Sequence, residues 1–126
     1  MINKINVRTI PNEEQRYETC GDYWFEEGRV EIRVSDLGNE DMNFLVALHE
    51  LVEAWLIKKK GVSEPEIVAF DIKHVDAEDP GSLPDAPYYK QHKIATAIEM
   101  LICMELGINW EDYDNAVNAL FEVKNA

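Results

Sequence analysis

His49-Glu50-Leu51-Val52-Glu53 sits in the middle of a run, Glu40 to Lys60, whose apolar residues recur every three or four positions. That periodicity predicts a long helix at the centre of the fold. Asn39 is its expected N-cap, Glu40 and Asp41 fill the first turn, Lys58, Lys59 and Lys60 fill the last, and Gly61 terminates it. Within this helix the five residues read H-E-x-x-E. The motif H-E-x-x-H differs at one position; there, two histidines a turn apart bind zinc and the glutamate acts as general base. Residues four apart stand one above the other on a helix, so His49 and Glu53 can reach one ion. The departure is at Glu53, where a carboxylate replaces an imidazole.

Upstream of this helix, residues 1–38 read mostly as β. Ile2, Ile5, Val7 and Ile10 belong to a short opening strand that Pro11 ends, and Tyr17 to Phe25 and Arg29 to Val34 read as two strands around the turn Glu26-Glu27-Gly28. In the later strand Val30, Ile32 and Val34 alternate with Glu31 and Arg33, the pattern of a strand with one buried face. Residues 39–126 read mostly as helix. A second helix starts at Ser63, with Ser63 and Glu66 as a capping box and Pro65 in the first turn, and runs to about Asp76. The proline-rich stretch Asp79 to Pro87 is a loop, a third helix runs from about Tyr88 to Leu106, and Asn109 caps a fourth from Trp110 to about Val123. The expected fold is α+β: a small antiparallel N-terminal sheet followed by about four helices, in a single domain over 1–126.

Composition narrows the function. The formal net charge of −13 argues against a nucleic-acid groove and favours cations as partners. No run is long and apolar enough to cross a membrane, and Met1 to Ile10 has no apolar core of a secretory signal, so a cytoplasmic location is expected. Cys20 and Cys103 are far apart with no C-x-x-C spacing, which suits two buried thiols rather than a disulfide.

Wound at about 100° per residue, the central helix carries an apolar stripe of Phe44, Leu45, Leu48, Leu51, Val52, Trp55 and Leu56, with His49 and Glu53 at its edge. Glu50 lies further round. Val46 and Ile57 share this polar arc, so another element is expected to cover it, and His49 and Glu53 then need partners. On the second helix Asp71 lies in the middle of a face defined by Ile67, Val68 and Val75, where a carboxylate must be paired, hydrogen-bonded or metal-bound; it is expected to be a metal ligand. His74, one turn on, is expected to be exposed. On the third helix His92 shares an arc with Thr96, Glu99 and Cys103 and can be presented to the same ion. Glu99 is expected to be a solvated acid, with orientation of a histidine as its alternative role.

The segments E-E-G-R-V-E-I-R-V (Glu26 to Val34) and A-L-H-E-L-V-E-A-W-L (Ala47 to Leu56) together resemble the strand and active-site helix of the minimal zincin metallopeptidases. The compact size is similar to that of small phage- and prophage-encoded members. The resemblance implies that His49 is a metal ligand, that Glu50 is the general base toward a metal-activated water, and that Glu53 stands where the family has its second histidine. It also implies that substrate backbone pairs with an open edge of the strand Arg29 to Val34.

The leading expectation is a metal-dependent hydrolase acting on a peptide or protein, with Glu50 as catalytic base and His49, Glu53, Asp71 and His92 as metal ligands. The cofactor is one divalent transition metal, zinc in the first place, with manganese or iron also suited to such donors. Tyr88 or Tyr89 can donate to a developing oxyanion, although packing explains each as well. A carboxylate at position 53 in place of an imidazole makes the ion a weaker Lewis acid, so weak hydrolysis is expected, and Glu53→His is expected to raise it. Two alternatives remain open: a non-catalytic metal-binding or protein-interaction module on the same scaffold, and an interaction protein whose histidines bind nothing. Oligomeric state is not fixed by the sequence.

Overall fold

The computed structural model describes residues 1–77 and 79–121. Three strands, β1 (Lys4–Ile10), β2 (Gly21–Glu26) and β3 (Arg29–Ser35), precede four helices, α1 (Glu40–Lys60), α2 (Glu64–Lys73), α3 (Tyr89–Glu105) and α4 (Trp110–Ala119). The α+β class is as expected. The expected continuation of α4 into residues 122–123 lies outside the described residues.

The sheet corrects two expectations. Its order is β1-β3-β2, and β1 runs parallel to β3 while β2 is antiparallel to it. The sheet is therefore mixed rather than antiparallel, and β3 is its central strand, with no open edge. The cause is the connection between β1 and β2. Instead of a tight hairpin, the chain from Pro11 to Cys20 crosses the end of the sheet and leaves a strand-wide gap that β3 fills. The Gln15 side-chain amide ties this crossing down by donating to the Arg33 carbonyl and to Ser35 Oγ. β2 consequently begins at Gly21, later than Tyr17. The turn back into β3 is tight, and Gly28 takes a left-handed backbone (φ 74°) that a side chain would strain.

The alternation in β3 reads as expected. Val30, Ile32 and Val34 point into the core under α1, which packs on both β2 and β3. Among the described residues no helix makes extensive contact with the opposite face of the sheet. There Asp22 and Glu31 are buried beneath Arg16 and Arg33, whose guanidinium groups flank the Trp24 ring.

The helix signals hold locally. Asn39 Oδ1 accepts from the Asp41 and Met42 amides, Ser63 Oγ accepts from the Glu66 amide, and Asn109 Oδ1 accepts from the Asp112 amide. Gly61 ends α1 with φ 72°. The buried side of α1 is rotated from the expected stripe. Leu45, Val46, His49, Glu53, Ala54 and Ile57 are buried, whereas Leu48, Leu51, Val52, Trp55 and Leu56 are half-buried and Phe44 is exposed. The reason is the extent of α3, which lies along the polar arc of α1 and makes its most extensive helix contact. Val46 and Ile57 had marked that arc as covered. On α2 the packed side is Ile67 and Phe70, and Val68 and Val75 are exposed.

Candidate metal centre

α1 and α3 present three side chains to one point. His49 Nε2 lies 2.9 Å from Glu53 Oε2 and 3.2 Å from His92 Nδ1, and His92 Nδ1 lies 3.3 Å from Glu53 Oε2. His49 and Glu53 reach it because they are four apart on α1. His92 reaches it because it lies on the first turn of α3, directly after the loop that folds back onto α1.

Each histidine is held from behind by a carboxylate. His49 Nδ1 is 2.7 Å from Glu99 Oε1, and the other Glu99 oxygen accepts from the Tyr113 hydroxyl of α4. His92 Nε2 is 3.0 Å from Asp79 Oδ2. With the single proton of each neutral imidazole on the nitrogen that faces Glu99 or Asp79, His49 Nε2 and His92 Nδ1 are both lone pairs. Together with Glu53 Oε2, three acceptor atoms then converge with no donor between them. Such a triangle needs positive charge at its centre, either protons or a metal ion.

The dimensions suit a metal. An ion with tetrahedral bonds of about 2.1 Å keeps its ligand atoms about 3.4 Å apart, so the three atoms need to open by only a few tenths of an ångström. The set is two imidazoles and one carboxylate, each imidazole backed by a second carboxylate, the arrangement that fixes tautomer and ring orientation in metal sites. Three protein donors also leave a coordination position open.

Without metal, electrostatics hold protons there instead. Burial alone lowers the His49 pKa, but the Glu53 and Glu99 carboxylates outweigh it and raise it to about 11. Burial is likewise outweighed at His92 by Asp79 and Glu53, which raise it to about 9. Glu53 is pulled the other way: the two imidazoles overcome its burial and hold it below the usual carboxylate range.

Glu50 is the neighbour without a partner. Among the described residues no hydrogen bond uses its carboxylate, and burial, followed by the charge of Glu53, pushes its pKa up to about 8. Its side chain lies flat against the start of β2: a Cβ on Gly21 would stand 2.5 Å from Glu50 Cγ and 2.7 Å from its Oε1. Only glycine leaves room for Glu50 there. Gly81 plays the same part at His92, where a Cβ would stand 2.8 Å from the ring Cγ.

The other expected residues fall outside the triangle. Asp71 is not among the converging donors. Its carboxylate accepts from the Tyr88 hydroxyl, because α2 packs on the turn Pro80–Ser82 and its Phe70 ring meets the Tyr88 ring just before α3. Tyr88 is thereby buried and committed to Asp71, and Tyr89 is half-buried beneath Lys93. His74 is half-buried rather than exposed, stacked on Phe70 at 4.0 Å. Glu99 is buried rather than solvated, and takes the histidine-orienting role. Asp79, Gly21 and Tyr113 had no signal in the sequence; Glu99 had one, in its place two turns after His92 on one helix face.

The chain matches no family model, no curated protein and no solved structure. Among the described residues no helix is long and apolar enough to cross a membrane.

Proposed function

We propose that this protein is a metal-dependent hydrolase of peptide bonds, with a divalent transition metal, zinc in the first place, held by His49, Glu53 and His92. The observation that carries the proposal is the triangle of three acceptor atoms 2.9–3.3 Å apart, with an unpartnered carboxylate, Glu50, beside it. When bound, the metal supplies a Lewis acid that polarises a carbonyl and makes water acidic near neutral pH. Glu50 takes the proton from the attacking water and returns it to the leaving amine; its raised pKa suits both steps near pH 7. Glu99 and Asp79 keep the two imidazoles in the tautomers that expose Nε2 of His49 and Nδ1 of His92.

The substrate platform moves from β3 to β2. β3 is paired on both sides, so it cannot align a peptide. In β2 the Cys20 carbonyl accepts from the Ser35 amide, which in an antiparallel ladder turns the main-chain groups of Tyr23 and Phe25 toward the free edge. The Tyr23 and Phe25 side chains meanwhile face α1. An extended peptide added to this edge by main-chain hydrogen bonds runs past Gly21 and Glu50. The two free thiols, Cys20 and Cys103, support a cytoplasmic location.

A second reading is a non-catalytic metal-binding module. It is favoured by the burial of His49 and Glu53, 9% and 5% exposed. Hydrolysis of a peptide library by zinc-loaded wild type and Glu50→Gln separates the two. The hydrolase reading expects cleavage that falls by roughly 10²–10⁴-fold in Glu50→Gln at equal zinc content. No cleavage by fully loaded wild type supports the module instead.

A further inference from the structure

The side of α3 facing away from the metal centre is apolar. Ile94, Ala97, Leu101 and Met104 follow one another at spacings of three and four, and all are exposed, Leu101 at 60% and Met104 at 71%. Below Leu101 and Met104 an open pocket of about 670 Å³ runs to Ile108 and Trp110 at the start of α4. Single exposed apolar residues are ordinary, but a continuous helical stripe beside a pocket marks an interaction site.

The charges at the two ends of the stripe identify the occupant. Lys90 stands on this face in the first turn of α3, and Glu105 at its last residue; both are exposed, and neither forms an ion pair among the described residues. The two are complementary to each other when the helix is reversed. We propose that a second copy of this chain docks here, the two α3 helices crossing antiparallel about a two-fold axis beside Ala97. In that register Lys90 faces the partner's Glu105 on both sides of the axis. Ile94 packs on the partner's Leu101 and enters the pocket beside it. Ala97, the smallest residue of the stripe, falls at the crossing and lets the backbones approach. The antiparallel arrangement also places the positive end of each helix against the negative end of the other. An isologous contact of this kind closes as a dimer and does not propagate. It covers the back of the helix that carries His92 and Glu99, and leaves the side packed on α1, with the candidate metal centre, unchanged.

Sedimentation velocity of the full chain over a concentration series tests this. Wild type is expected to dimerise, and Leu101→Glu to be monomeric with an unchanged circular dichroism spectrum. Lys90→Glu and Glu105→Lys change only exposed side chains and are expected to retain the fold, read by circular dichroism. Each is expected to weaken the dimer by roughly tenfold, since two attractions become two repulsions. The double variant Lys90→Glu/Glu105→Lys is expected to return to within about twofold of wild type. A wild type that stays monomeric up to roughly millimolar concentration overturns the proposal, because an interface this weak does not form by mass action. A dimer that survives Leu101→Glu, or a charge reversal that the double variant does not rescue, overturns it as well.

Discussion

His92 Nδ1 lies 3.2 Å from His49 Nε2, although 43 positions separate the two residues in the chain. This closeness changes the meaning of the departure at Glu53. The carboxylate does stand where H-E-x-x-H has its second imidazole, but α3 brings an imidazole to the same point from elsewhere in the chain. The proposed donor set is two histidines and one glutamate, a composition that hydrolytic zinc sites use, with the order along the chain exchanged. Where His92 completes the proposed set, the Glu53 carboxylate adds to two imidazoles rather than replacing one, and weak hydrolysis no longer has to follow.

Glu53→His should therefore not improve the protein. It creates a set of three imidazoles and removes the buried negative charge that His49 and His92 both face. Zinc affinity is expected to fall by roughly tenfold or more, measured by competition with a chromophoric chelator. Higher affinity together with faster peptide cleavage would mean that the Glu53 carboxylate weakens the ion as a Lewis acid.

Glu99 reaches the candidate site through His49, whose Nδ1 lies 2.7 Å from its Oε1. Glu99→Gln keeps the shape but weakens the hold on His49 Nδ1, and is expected to lower zinc affinity roughly 10–100-fold. Tyr113→Phe removes a donor from a buried carboxylate and is expected to cost about 1–3 kcal/mol of stability. Chelator competition and urea denaturation read the two effects separately. A Glu99→Gln protein with wild-type affinity would make Glu99 a packing residue only.

Zinc uptake should release protons. In the metal-free protein the pKa values of His49 and His92 are raised, to about 11 and about 9, so both are protonated at pH 7. Metal needs the lone pairs of His49 Nε2 and His92 Nδ1, so it displaces protons and its affinity rises with pH until the higher of these values is passed. Calorimetric titrations at pH 7 in two buffers of different ionisation enthalpy should give different apparent enthalpies. Equal enthalpies would mean that no proton leaves.

Asp71 and Gly21 should separate binding from catalysis. Asp71→Asn is expected to keep zinc affinity within a few fold, since its carboxylate serves Tyr88. A loss of two orders of magnitude would return Asp71 to the ligand set. Gly21→Ala forces Glu50 to shift, because the new Cβ meets its Cγ at 2.5 Å. Zinc content should stay at the wild-type level while hydrolysis falls at least tenfold; unchanged turnover would remove Glu50 from the reaction.

Local chemistry was legible in the sequence, and packing direction only in part. The caps at Asn39, Ser63 and Asn109 depend on neighbouring residues alone, so their signals carried directly into structure. Val46 and Ile57 on a polar arc revealed that another element covers His49 and Glu53; α3 is that element, and it brings His92 Nδ1 within 3.2 Å of His49 Nε2. The position of β3 was not legible. A strand with Val30, Ile32 and Val34 on one face reads the same at the edge of a sheet or in its middle, because alternation reports faces and not edges. Asp71 and Glu99 depart from expectation for a related reason: Asp71 is half-buried against Tyr88 and away from His49 and His92, and Glu99 is buried rather than solvated. Each sits on a helix whose rotation is fixed by long-range contacts, with Tyr88 in one case and Tyr113 in the other, that no local spacing encodes.

The central claim is that His49, Glu53 and His92 hold one metal ion. Elemental analysis of tag-free protein dialysed against micromolar zinc, wild type beside His92→Ala, tests it most directly. One zinc per chain in wild type and a loss of most of it in His92→Ala is the result this structure predicts. A wild type without zinc, or a His92→Ala protein that keeps its full complement, contradicts it.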